Sequence, residues 1–430
     1  MNLTPEQQAL LDGAKGPAMA KVVKTLVMYG ECFGAMRMVP VTGSRGHLVT
    51  SFGLSMLGPV YDLMDELIGD GALSGQAFSA DPRPLDPAVP ANPLQRLLFK
   101  VMYSKQDDYE AQLRQMGLMG PDAFTCTCYE PEVGNRPQRG DVLSWAESSA
   151  VVFANSVLGA RCNRNSGIIE LFGSIAGFVP EFGLLTDEGR RATWVIEVDC
   201  EHRPEAQVLG SAIGMRVMED VPYITGLDRW LGSELTADAE DYLKDMGAAS
   251  ASNGAVGLYH VEGLTPEARE EGRGLIAPGA QVYRIDDAEL ERVRASYPVM
   301  WKKPGARPKL AFIGCPHLSA SQLEHWATAI CDGLETAGKH RVQVPTVLTA
   351  APAVARAFRE TPAHERLAAT GAVVSSICPL MYTNNPLCGS MPIVTNSNKL
   401  RTYSTARYCT DSEVLECVTT GTLARRGGDR

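Results

Sequence analysis

Short apolar runs closed by turn-forming residues alternate with amphipathic stretches through the last third of the chain. Lys309-Leu-Ala-Phe-Ile-Gly314 reads as a buried strand, followed by Cys315-Pro-His317 and then a helix. Ser319, with Gln322 three residues later, is a capping box that sets the helix start close behind Cys315 and His317. The positive end of such a helix favours a thiolate over a thiol at Cys315. The pattern then repeats. Arg341-Val-Gln-Val344 is strand-like, Ala351 to Glu360 helical, Ala372-Val-Val-Ser-Ser-Ile377 a strand ending at Cys378, and Pro392-Ile-Val-Thr-Asn-Ser397 a further strand. This alternation predicts right-handed crossovers and a parallel sheet, in one α/β lobe over residues 305–430. Ligands of open parallel sheets collect beyond the carboxyl ends of the strands, the edge where Cys315, Cys378 and Asn396-Ser397 fall.

Upstream the pattern is less regular, and it divides into an N-terminal α/β lobe over 1–140 and a middle lobe over 141–304. Thr193-Trp-Val-Ile-Glu-Val198 predicts a strand, and the charged amphipathic segment Asn92 to Met119 predicts helix. From Ser144 to Arg164 the apolar positions Trp145, Val152, Val157 and Leu158 face a core. Glu147, Ser148, Asn155, Ser156, Arg161, Asn163 and Arg164 are many polar groups for such a segment. They form either a solvated helix face or a ligand site, and the two neighbouring guanidinium forks suit a carboxylate or phosphate. Val39-Pro-Val-Thr-Gly-Ser-Arg-Gly-His-Leu48 is a glycine-punctuated loop offering Ser44, Arg45 and His47, with a structural role the commoner one for a lone histidine. Ser79-Ala-Asp-Pro-Arg-Pro-Leu-Asp86 predicts a rigid loop after a strand, with Asp86 as a helix cap.

Composition narrows the function classes. The 430 residues are 45% hydrophobic and 21% charged, as in ordinary globular proteins. A net charge of −10 argues against nucleic-acid and anionic-membrane partners and for a small-molecule substrate. No apolar run approaches the roughly 20 residues that cross a bilayer. The start lacks a basic n-region and apolar core, so a cytoplasmic location is expected. Eleven cysteines without a secretory signal are not a disulfide framework, and most are core thiols. Three stand out. Cys126 in Phe-Thr-Cys-Thr-Cys-Tyr, Cys315 and Cys378 lie in distant segments, each reading as the end of a strand. Thiolates gathered from distant loop ends suit a labile iron–sulfur cluster, and three rather than four leave one iron open to substrate, which suits a dehydratase. Neither a Cys-x-x-Cys knuckle nor a His-Glu-x-x-His helix occurs, which leaves zinc on the same thiols as a minor alternative.

Several long motifs in order resemble the large domain, or large subunit, of the aconitase X group of the aconitase superfamily. They are Leu3-Thr-Pro-Glu-Gln, the Gly46-His47 loop, Thr125-Cys126 with Asn135, Pro137 and Gly140, Trp145-Ala-Glu-Ser-Ser-Ala-Val and Ala154 through Arg164, Gly314-Cys-Pro-His317, and Thr395-Asn-Ser-Asn-Lys399 followed by Tyr403. The resemblance implies an aconitase-like assembly of several α/β lobes, with parallel or mixed sheets, around a central iron–sulfur site. It implies a lyase that removes water from a small hydroxylated acid, as cis-3-hydroxy-L-proline dehydratases and mevalonate 5-phosphate dehydratases do. Cys126, Cys315 and Cys378 match the cluster cysteines. His47, Glu147 and Ser148 become the expected catalytic residues. Ser44, Gly46, Ser149, Asn155, Ser156, Arg161, Asn163, Arg164, Thr395, Asn396, Ser397 and Lys399 become the expected substrate contacts. Departures are Cys128 where proline is usual, which makes it either an alternative ligand or a nearby thiol, the variant loop Gly46-His-Leu-Val-Thr-Ser51, Leu184-Leu185, and extra length over Gln95 to Met119. Family enzymes complete the site with a small swivelling domain that supplies the catalytic serine, so a separate small aconitase X subunit is the expected partner. A non-catalytic aconitase-like binding protein is the reading from another class.

Overall fold

The apolar run Leu310–Leu318 is the central strand of a five-stranded, wholly parallel sheet in the order Val373–Ser375, Thr346–Ala350, Leu310–Leu318, Ile393–Thr395, Arg407–Tyr408. Every residue of the central strand is buried, as expected of a strand covered on both faces. The computed structural model describes residues 1–49 and 52–423, and every element and count belongs to those residues. Thr50 and Ser51 of the variant loop lie outside them. The helix after the central strand is Ala320–Thr336, with Ser319 and Gln322 forming the expected capping box. Arg341–Val344 is not a strand. Its backbone bonds Thr370 and Val418 irregularly, and pairing starts at Thr346, after Pro345, whose nitrogen has no hydrogen to donate.

A second parallel sheet, ordered His260–Val261, Pro222–Thr225, Ala192–Val198, Ile276–Ile285, builds the middle of the molecule. The helices Ala206–Val217 and Ala237–Gly254 cover it, so tightly that a Cβ on Gly210 would meet the Met246 carbonyl at 2.1 Å. The N-terminal part is mostly helical. Two small pairings join it together, Met38–Pro40 with Phe178–Pro180 and Gly46–Leu48 with Phe78–Ala80. The Val39–Leu48 segment is thus partly strand rather than loop. Ile169, Phe172 and Ile175 share a core with Val22, Leu26 and Phe78, so the chain on both sides of residue 140 packs together in this part. Asn92–Met119 is two helices, Pro93–Met102 and Gln106–Met116, rather than one.

The first and third parts are stitched at the proline-rich loop. The Arg83 carbonyl accepts from Cys378 N at 2.8 Å, and Ser375 donates to the Asp86 carboxylate at 2.6 Å. Asp86 therefore ties the first part to the third as well as accepting locally from Ala88 N. Among the described residues no helix is long and apolar enough to cross a membrane.

Candidate active site

Where the parts meet lies a cavity of about 290 Å³ lined by Cys126, Cys315, Cys378, Asp81, Glu147, Ser148, His317 and Lys399, with apolar walls from Val49, Phe52, Pro379 and Leu380. Each polar group arrives by a different route. Cys315 sits in the central strand of the five-stranded sheet, between Gly314, which has φ +90°, and a cis bond to Pro316. Cys378 follows the strand Val373–Ser375 and N-caps the helix Pro379–Thr383. Cys126 does not end a strand. It lies in irregular chain held by the bond from Thr125 N to Ala80 O. Its neighbour Cys128 is fully buried beside Ser79 and does not line the cavity.

His317 ties all three cysteine segments together. It lies two residues after Cys315, its backbone N–H donates to the Cys126 sulfur at 3.4 Å, and its ring bridges the Thr125 hydroxyl at 3.0 Å to the Ile377 carbonyl at 3.2 Å, one residue before Cys378. Burial pushes the ring down to about 4, so it is neutral at physiological pH. A neutral ring meets both partners only with its proton on Nε2, donating to Ile377 and accepting from Thr125 at Nδ1.

Glu147 caps the helix Ser148–Ser156. One oxygen takes the Ala150 N–H at 2.6 Å and the Ser149 hydroxyl at 2.8 Å, and the other takes the Lys399 ammonium. Lys399 projects from the helix Asn398–Tyr403, whose cap Ser397 also donates to the Cys315 carbonyl. Burial works against both charges, but the pair outweighs it, holding Glu147 below and Lys399 above their ordinary ranges. The helix end does not make Cys315 a thiolate. Burial pushes the Cys315, Cys126 and Cys378 thiols up, the last to about 12. A bound metal would be what deprotonates them.

Other expected contacts serve the scaffold. His47 is fully buried behind the cavity, its Nδ1 2.9 Å from Ser79 Oγ, which also accepts from Asn135. Gly46 offers its carbonyl to Asn135. Asn155 bonds Cys162, Gly257 and the buried Arg190, Ser156 accepts from Tyr259 N, and Asn163 bonds Phe182 and Leu184. Arg161 is spent on Asp187, Arg164 and Ser44 are exposed, and none of the three lines the cavity. The two guanidinium forks thus do not form one anion site. Thr395 accepts from Ser397 N, and Asn396 bonds Gly314 and Asp411. Helix Ser148–Ser156 is not a solvated face, since nearly all of it is buried. Sequence reasoning misses Asp81 and the hub role of His317. An Asp-Pro pair just past a strand end is the available signal for Asp81.

The donor set fits an iron–sulfur group. Three thiols from separate segments face one cavity, whereas no three His, Cys, Asp or Glu side chains among the described residues converge on a single ion. Thiolates around one zinc stand roughly 3.8 Å apart, whereas in a cluster each cysteine can take its own iron and stand farther off.

Comparison with known proteins places the chain in a family. The chain matches the aconitase X first, second and third domain models over residues 1–188, 192–295 and 308–419. It is 32% identical to the phosphomevalonate dehydratase large subunit of Thermococcus kodakarensis, over 94% of this chain and 95% of that one. It is 29% identical to the cis-3-hydroxy-L-proline dehydratase of Pseudomonas aeruginosa, over 92% of this chain and 65% of that protein. The crystal structure of holo-form aconitase X from Thermococcus kodakaraensis superimposes with a TM-score of 0.79 at 28% identity, covering 97% of this chain and all of that one. The chain belongs to the aconitase X family, and its reaction class is that of the family's dehydratases, a carbon–oxygen hydro-lyase.

Proposed function

We propose that this chain is the large subunit of a cytoplasmic dehydratase acting on a small hydroxylated acid, with cis-3-hydroxy-L-proline as substrate, and that a separate small subunit completes the site. The observation that carries this reading is the single cavity joining Cys126, Cys315 and Cys378 to the Glu147–Lys399 pair. An iron–sulfur cluster on the three cysteines would supply a Lewis acid for the leaving hydroxyl. Dehydration breaks one C–O bond and one neighbouring C–H bond and forms a C=C bond, the hydroxyl leaving with a proton as water. Lys399, held in place by Glu147, presents a fixed positive charge to the substrate carboxylate. Both Glu147 oxygens are already bonded, so its part is to orient Lys399, and Ser148 lines the wall beside it. The base that takes the carbon-bound proton is assigned to the partner subunit. Lys399 is the one cation, and no arginine lies, among the described residues lining this cavity, which favours an amino acid over a phosphate ester.

A second reading, phosphomevalonate as substrate, is favoured by the end-to-end match to the Thermococcus large subunit, whereas the Pseudomonas relative extends well beyond the match. Anaerobically purified protein, assayed with and without the small subunit, separates the readings. We expect brown protein containing iron and sulfide, bleached by each of Cys126→Ala, Cys315→Ala and Cys378→Ala, with turnover of hydroxyproline only when the partner is present. Protein that stays free of iron after reconstitution would remove the mechanism, and full activity of the chain alone would remove the partner.

A further inference from the structure

Asp81 lines this cavity, and among the described residues its carboxylate is left with an unpartnered oxygen on the side of His47. It follows the strand Phe78–Ala80, its N–H donates to Leu48 O at 3.0 Å, and Pro82 behind it stiffens the turn. The residue is 6% exposed, and among the described residues its Oδ1 has no hydrogen-bond partner. The nearest cationic candidate, His47 Nε2, is 3.8 Å away, too far for a hydrogen bond, and is itself unpartnered. His47 is neutral at physiological pH, since burial pushes its ring down to about 4, so it offers Asp81 no compensating charge. Lys399 donates to Glu147 and Ser149, and its charge only partly offsets the cost of a charged Asp81. Burial and the Glu147 charge hold the Asp81 carboxyl well above its ordinary range even with Lys399 acting the other way, and a second ammonium in direct contact would favour its charged form. A buried acceptor without a donor is costly to keep, and the carboxylate that carries this one belongs to a residue lining the same cavity as the three cysteines and Lys399.

Building on the dehydratase reading above, we propose that Asp81 is the substrate subsite for a cationic hydrogen-bond donor, the ring ammonium of an α-amino acid whose carboxylate faces Lys399. Asp81 and Lys399 then read the two ends of a zwitterion across the cavity, and Asp81 disfavours a substrate that brings a phosphate to the same wall. A site built to bond an N–H rejects the analogue that lacks it.

The test uses the reconstituted large and small subunits with L-proline and its oxygen analogue, tetrahydrofuran-2-carboxylate, as competing ligands, alongside iron content for each variant. Wild type should bind proline at least about tenfold more tightly than the analogue. Asp81→Asn should bring that ratio near one and raise KM for hydroxyproline far more than it lowers kcat, with iron content unchanged. Asp81→Glu keeps the charge and should retain part of the preference, which guards against a folding defect in the first variant. An unchanged ratio in Asp81→Asn overturns the subsite while leaving the dehydratase reading intact. An enzyme that dehydrates phosphomevalonate and binds neither ligand overturns both the amino-acid substrate and this proposal.

Discussion

Lys399 and Glu147 are 252 residues apart in sequence, and each is the other's compensation for burial. Removing one member of such a pair leaves an unpaired charge, so Lys399→Met should cost about 3–5 kcal/mol of stability by urea unfolding. The double change Lys399→Met with Glu147→Gln should recover part of that loss, which a double-mutant cycle reads directly. Glu205 makes a different prediction. Burial, reinforced by Asp411, raises its carboxyl to about 7, with the Tyr408 hydroxyl donating to it at 2.9 Å. A raised folded pKa means the folded chain holds this proton more tightly than the unfolded one. Its contribution is therefore complete below the unfolded value near 4.5 and is lost as pH rises through 7. Between pH 5 and pH 9 this one group should lower wild-type stability by about 3 kcal/mol, and Glu205→Gln should flatten the profile.

At the scale of elements, the site depends on three short connections being held in register. His317 does this with one backbone donor and two ring contacts. His317→Phe keeps the bulk but strands the Ile377 carbonyl, at about 1–3 kcal/mol, while the Thr125 hydroxyl loses one partner and keeps Thr127. It should lower iron retention and speed bleaching in air, measured by visible absorption, by more than Thr125→Val, which spares the Ile377 contact. The helix pair Ala206–Val217 and Ala237–Gly254 approaches too closely for any side chain at Gly210. Gly210→Ala should force the helices apart at about 1–3 kcal/mol, visible as a lower Tm.

For the whole molecule, the cavity exists only where the N-terminal part, the start of helix Ser148–Ser156 and the five-stranded sheet meet. The latch between middle and third parts is polar. Lys244, almost fully buried, bonds Asp241 and Gln322, and Ser319 bonds Asp241. Ser319→Ala removes both this contact and the helix cap, and should cost about 1–2 kcal/mol and loosen the cavity, read as weaker substrate binding with little change in secondary structure by circular dichroism.

Much of this was legible in the chain itself. Local patterns determined the strand at Leu310, the capping box at Ser319–Gln322 and the strands before Cys378 and at Ile393, because burial on both faces and helix capping are local demands that residue order satisfies directly. The residue pattern singled out the three cysteines and the motif resemblance added Lys399, and the fold brings all four to one cavity. What only the tertiary structure decided is direction and partner. Cys126 rather than Cys128 faces the cavity, Arg161 is spent on Asp187, Asn155 braces Arg190, and among the described residues no donor reaches Asp81 Oδ1. These outcomes turn on contacts between segments from tens to hundreds of residues apart, where a polar group's role is set by whichever donor or acceptor the folded chain brings to it, and no local pattern records that choice.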